Sequence, residues 1–151
     1  MITRQISVFA ENKPGSLAKV TAILSKENIN IRASTIATSD TFGILNLIVD
    51  DPHRAFEALT KEGVMATLKE VVAVAIRDLP GGLNKLTQCL FKERININNA
   101  YGFVLENMKT AVFIVDVDQR EKTEEILKIN NFKILDEQAL SSVEPIYNET
   151  D

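Results

Sequence analysis

The sequence predicts an α+β fold: two βαββαβ modules in tandem, each an antiparallel sheet with its helices on one face. Three observations lead there. The second half of the chain repeats the first in one register. Within each half, stretches of alternating apolar residues frame stretches whose apolar residues recur every three to four positions. Between the halves stand only Lys69 and Glu70, which leaves no room for a flexible linker.

With Val8 laid on Val74 and a constant shift of about 66 residues, Pro14 falls on Pro80, Gly15 on Gly81, Leu17 on Leu83, Lys19 on Lys85 and Thr21 on Thr87. Lys26-Glu27 meets Lys92-Glu93, and Ile29-Asn30-Ile31 meets Ile95-Asn96-Ile97. Further on, Ile48-Val49-Asp50 is matched with Ile114-Val115-Asp116. A register kept over that distance marks a duplication.

In the first copy, residues 5–10 alternate as a strand. Pro14-Gly15 then starts a helix whose buried stripe is Leu17, Val20, Ile23 and Leu24. Asn28 closes it, Asn being at ease in a left-handed cap. The β-branched residues 29–38 extend, Ser39-Asp40-Thr41 turns, and residues 42–49 return. Pro52 suits a first helical turn, and Ala55, Phe56 and Leu59 form the next stripe up to Gly63. Residues 64–68 complete the sheet.

The second copy repeats this order. Strands are expected at 71–77, 96–104 and 109–117, helices at 81–93 and around Thr123, Ile126 and Leu127, and a closing strand from Phe132. The order is that of the ferredoxin-like split βαβ. Residues 1–69 make the first module, 70–142 the second, and 143–151 an acidic, aperiodic tail expected to fray. Modules of about 70 residues bury little core alone, so the two are expected side by side as a pseudo-dimer sharing a sheet.

Composition removes several classes of function. Of 151 residues, 45% are hydrophobic and 25% charged, with net charge −4. Basic residues form no dense run, so nucleic acid is not an expected partner. The longest strongly apolar run, 71–76, is too short for a membrane span. The start alternates like a strand and lacks a signal-peptide core, and the single Cys89 suits a reducing compartment, so the cytoplasm is expected.

Catalysis finds no constellation. Cys89 aligns with Ile23 on an apolar helix face, while the only histidine, His53, opens another helix opposite Gln119 in the other copy. No metal-ligand spacing is present; Asp50-Asp51 and Asp116-Asp118 read as residues capping the helices that follow. Neither cofactor nor metal is expected.

A strand, then Glu11-Asn12-Lys13-Pro14-Gly15-Ser16-Leu17, a helix and Ile29-Asn30-Ile31 resembles an ACT domain. Arg77-Asp78-Leu79-Pro80-Gly81-Gly82-Leu83 with Ile95-Asn96-Ile97 resembles one more closely still. Two such units are similar to stand-alone amino acid-binding ACT proteins. The physical reason is plain: a helix N-terminus offers unpaired N–H groups and a partial positive charge to a carboxylate. Gly15 and Gly81 clear its approach, and an α-ammonium needs an amide or carboxylate oxygen nearby.

In ACT domains of the serine-regulated phosphoglycerate dehydrogenase type, a loop Asn and a strand Asn hold the amino acid; the resemblance puts those roles on Asn12 and Asn30. The candidate ligand set is therefore Asn12, Gly15, Ser16, Leu17 and Asn30 in the first copy. In the second it is Asp78, Gly81, Gly82, Leu83 and Asn96. Asp78 replaces an amide by a carboxylate, so two inequivalent sites are expected. Equally, Asn12 and Asp78 read as helix caps, and Asn30 and Asn96 as solvent-facing strand residues. Family members often carry Gly before the apolar-Asn-apolar strand start, where this chain has Asn28 and Arg94. Arg32, Ser34, Asn98, Asn99 and Tyr101 read as ordinary surface, with a subunit interface as the other option.

Three function classes stay open: an autonomous amino-acid sensor, a regulatory subunit of a separate catalytic enzyme, and a ligand-free dimerisation module. The opening half also resembles the small regulatory subunit of acetohydroxyacid synthase. A non-enzymatic, allosteric, homo-oligomeric protein, a dimer first of all, is the expectation common to the first two.

Overall fold

The computed structural model describes residues 2–141; the tail expected at 143–151 lies outside the described residues. The first module comprises β1 (Thr3–Glu11), α1 (Ser16–Lys26), β2 (Ile31–Ser39), β3 (Phe42–Val49) and α2 (Pro52–Lys61). Strand β4 (Met65–Arg77) follows, then α3 (Gly82–Lys92), β5 (Ile97–Glu106), β6 (Thr110–Val117), α4 (Arg120–Ile129), β7 (Lys133–Leu135) and α5 (Glu137–Ser141). Both modules thus have the βαββαβ order, and neighbouring strands in the sheet order β2-β3-β1-β4-β6-β5 run antiparallel, with β7 paired to β4.

The two strands expected at 64–68 and 71–77 are one. The first half of β4 pairs with β1 and its second half with β6 and β7. Strands β1 and β7 meet end to end along one edge of β4, where Thr3 Oγ1 donates to the Leu135 carbonyl at 3.0 Å. Even-numbered β4 residues point at helices throughout: Ala66 and Leu68 join the first core with Ile6, Val8, Val20 and Leu24. Val72, Val74 and Ile76 join the second with Leu86, Leu90 and Leu127.

A third core corrects the simple side-by-side picture. The sheet folds over on its helix-free face until edge strands β2 and β5 touch. Ile48 of the first module is buried with Val112 and Ile114 of the second, and Val71, Ala73 and Leu140 close the cluster. Burying these side chains on each other removes apolar surface that two separate sheets would leave in water. Polar groups inside the contact are paired, as burial demands. Tyr101 Oη donates to Gln5 Oε1 at 2.7 Å, and Ser7 Oγ donates to Asn46 Oδ1 at 2.7 Å. Tyr101 thus makes an intramolecular contact between the two modules rather than standing as plain surface. Burial, then the negative charge of Asp116, holds its hydroxyl well above the usual phenol range. The Arg32 guanidinium likewise turns inward, donating to the Leu140 carbonyl at 2.8 Å.

The repeat register also needs correcting. Ile6 pairs with Leu47, whereas Val72 pairs with Val115, so the shift lengthens by two residues between the two hairpin strands. The surplus sits in the β5–β6 hairpin, in an irregularity between Val104 and Glu106 and a longer turn. Asp50 therefore corresponds to Asp118, and Gln119 to Asp51 rather than to His53. Of the acidic residues expected to cap helices, only Asp51 does, accepting from the Arg54 amide at 3.2 Å. Asp50 Oδ1 accepts from the Asn30 amide, Asp118 Oδ1 accepts from Asn98, and Asp116 pairs with Lys69 at 2.6 Å across the modules.

Asn28 and Arg94 close α1 and α3 with φ of 57° and 56°. A left-handed residue with a Cβ is strained, Asn less than most, which gives the glycine preference at this position a physical basis. Arg94→Gly is accordingly expected to raise stability by about 1 kcal/mol, read as a higher urea midpoint; a lower midpoint would count against the strain.

Candidate functional site

Both Pro-Gly turns place glycine, not the Asx residue, at the helix cap. Gly15 and Gly81 adopt φ of 91° and 89°, a conformation L side chains rarely take, and no side chain caps α1 or α3. Among the described residues, the N–H groups of Leu17, Ala18, Leu83 and Asn84 find no acceptor outside their helices. Each helix therefore opens with donors to spare, a local setting that favours an anionic group.

The expectation that Asn12 and Asp78 cap these helices is not met. Each ties its loop to the tip of the neighbouring hairpin. Asn12 Nδ2 donates to the Asp40 carbonyl at 3.2 Å, and Asp78 Oδ2 accepts from the Met108 amide at 2.8 Å. Backbone bonds reinforce both ties, from the Asn12 amide to Thr41 and from the Asp78 amide to Lys109. One oxygen of each side chain still faces no donor among the described residues.

A cavity of about 150 Å³ opens at the start of α1, lined by Asn12, Ser16 and Leu17 on one side and by Ile36, Thr38 and Gly43 of the hairpin on the other. Sequence reasoning missed Ile36 and Thr38; their shared parity on an alternating strand was the available signal. Asn30 is not part of this cavity. It lies exposed beyond the far end of α1, lining a separate groove of about 370 Å³ with Thr21, Ser25 and Asn28.

In the second copy the candidate residues divide. Asp78 and Leu83 line a cavity of about 300 Å³ with Gly102 and Phe113. Gly81 and Gly82 line a neighbouring one of about 720 Å³, which also contains Arg77, Lys85, Lys109 and Lys133. Asn96 is exposed and donates to Asn98 Oδ1 at 3.2 Å. The basic quartet was invisible in the sequence because its members are scattered over four elements and turns.

Cys89 packs against the second core, and burial, followed by the Glu93 charge, pushes its thiol up, away from a reactive thiolate. No group of metal-ligating side chains occurs among the described residues. No helix among them is long and apolar enough to cross a membrane.

A family model described as an ACT domain pair matches residues 1–144. Among solved structures, the crystal structure of protein BT0572 from Bacteroides thetaiotaomicron superposes with a TM-score of 0.88 at 35% identity, covering 94% of this chain and 97% of that one. The ligand-free regulatory subunit of aspartate kinase from Thermus thermophilus gives 0.63 at 19% identity, covering 84% and 91%, a likeness of fold alone. A probable acetolactate synthase small subunit of Methanothermobacter thermautotrophicus is 31% identical over 93 residues, 60% of this chain and 53% of that one. The chain thus matches about half the length of that relative.

Proposed function

Because the chain belongs to the family of ACT domain pairs, we propose that it is a non-catalytic regulatory protein that binds a free amino acid at the start of α1. The observation that carries this reading is the cavity of about 150 Å³ lined by Asn12, Ser16 and Leu17, the last with an amide that has no acceptor outside its helix. Its size is below the roughly 300–1,000 Å³ of drug-sized ligand sites, which suits a very small molecule. The α-carboxylate would take the Leu17 amide, and the ammonium would find Asn12 Oδ1. Asn30, outside the cavity, would reach such a ligand only from a second copy. The apolar cross-strand neighbours Phe9, Ile44 and Met65, exposed on the helix-free face, support such an assembly. The proposed units are residues 1–69 and 70–142, joined through β4.

A regulatory subunit serving a separate catalytic chain is the second reading, favoured by the likeness to a probable acetolactate synthase small subunit. Both readings require ligand binding, and a ligand-free module does not. A thermal-shift screen of the common amino acids decides between them. At about 100 times the dissociation constant, linkage stabilises the folded state by roughly 2.7 kcal/mol, a rise of about 5 to 10 °C. Asn12→Ala should abolish the shift if the first copy is the site, and Asp78→Ala if the second is. Full affinity in both variants, or no shift from any amino acid, would remove the loop assignment.

A further inference from the structure

The structure assigns a second ligand class to the other half of the chain: we propose that the cleft between α3, β7 and the end of β4 binds a nucleotide-sized organic polyanion. This goes beyond the amino-acid reading, which needs only the first copy. The cleft measures about 720 Å³, within the range of about 300 to 1,000 Å³ that sites for larger small molecules occupy.

Its lining has two parts. Leu79, Leu105, Leu135 and the half-buried Phe132 ring supply apolar lining against which an organic body can pack. Arg77, Lys85, Lys109 and Lys133 all stand in its lining, and no carboxylate does. Lys109 is paired with Glu106 at 2.7 Å, but among the described residues Arg77, Lys85 and Lys133 have no ion-pair partner. Lys85 instead stands over the Phe132 ring, 5.9 Å from its centroid. In a chain of net charge −4, cations gathered around one hollow create a local field that draws multiply charged anions. Asp78, the carboxylate nearest in sequence, is turned away toward the Met108 amide.

The duplication supplies an internal control. The first copy has Glu11 in place of Arg77, Val64 in place of Phe132 and Met65 in place of Lys133, keeping only Lys19 for Lys85. The basic cleft therefore does not come with the fold; it belongs to one copy.

Isothermal titration of the full chain with ADP, AMP, adenosine and pyrophosphate tests the proposal. ADP is expected to bind with a submillimolar dissociation constant, AMP and pyrophosphate more weakly, and adenosine not measurably. Added salt should weaken ADP several-fold, because the cations are solvent-exposed. Arg77→Gln combined with Lys133→Gln, both at exposed positions, should lower ADP affinity at least about tenfold. No heat from any of the four probes would overturn the proposal, as would unchanged affinity in the double variant. Pyrophosphate binding as tightly as ADP would overturn the organic body. An amino acid that scores in the thermal-shift screen should score equally in the double variant, so either reading can fail alone.

Discussion

Ile114→Ala is expected to lower stability by about 4 kcal/mol and the melting temperature by roughly 8 to 16 °C. Ile114 is 0% exposed and sits where the two modules close on each other, between Ala73 of β4 and Tyr101 of β5. Truncation removes three carbons from a site filled by Ile48, Val112 and Val71, side chains held by three different strands. Such a site cannot collapse around the void, so the cavity cost adds to the lost transfer energy. Ile129→Ala, at a position 73% exposed, should change stability by less than about 0.5 kcal/mol.

The same variant probes how the modules cooperate. The third core and shared β4 make each module's helix-free face part of the other's interior, so unfolding one exposes the other. Urea denaturation of Ile114→Ala followed by circular dichroism should show one transition, displaced in midpoint with its slope retained. Two separated transitions, or a loss below about 1 kcal/mol, would mean that the modules fold independently and the contact is incidental.

What the sequence made legible was whatever rests on local chemistry. Pro14-Gly15 and Pro80-Gly81 marked the helix starts because glycine alone takes their backbone conformation without strain. Asn28 marked a helix end for a related reason. Alternation marked the strands, but period-two patterns are blind to slips of two residues, since such a slip leaves every side chain on its own face. That is why Ile114-Val115-Asp116 passed as the partner of Ile48-Val49-Asp50 when the ladders set Val115 against Leu47. Tyr101 read as ordinary surface. The burial of Gln5 and Asn46, and the bond from Tyr101 to Gln5, depend on a face-to-face contact between copies that no local pattern encodes. The candidate site divides the same way. Asn12, Ser16 and Leu17 are close in sequence and fall together, whereas Asn30 lies a helix length away and lines different space. Arg77, Lys85, Lys109 and Lys133 converge only through the tertiary fold.

Gly82→Ala is the substitution that separates local preference from tertiary fit most sharply. Gly82 is the first residue of α3, where alanine would by helix propensity raise stability by up to about 1 kcal/mol. A Cβ there would stand 2.1 Å from the Arg77 carbonyl oxygen. That oxygen belongs to the last paired residue of β4, matched to Thr110, so relief requires moving backbone rather than turning a side chain. The Gly82 amide is also bound to the Leu79 carbonyl at 2.9 Å, tighter than the 3.3 Å between Ser16 and Lys13 in the first copy. The expected result is a loss of about 3 kcal/mol, or roughly 6 to 12 °C. Ser16→Ala, the matching change in the first copy, should stay within about 0.5 kcal/mol. Because the displaced turn borders the basic cleft, Gly82→Ala should also weaken ADP binding while an amino-acid response in the first copy persists. A neutral or stabilising Gly82→Ala would show that α3 can retreat freely from β4, and with it that the second turn is no more tightly held than the first.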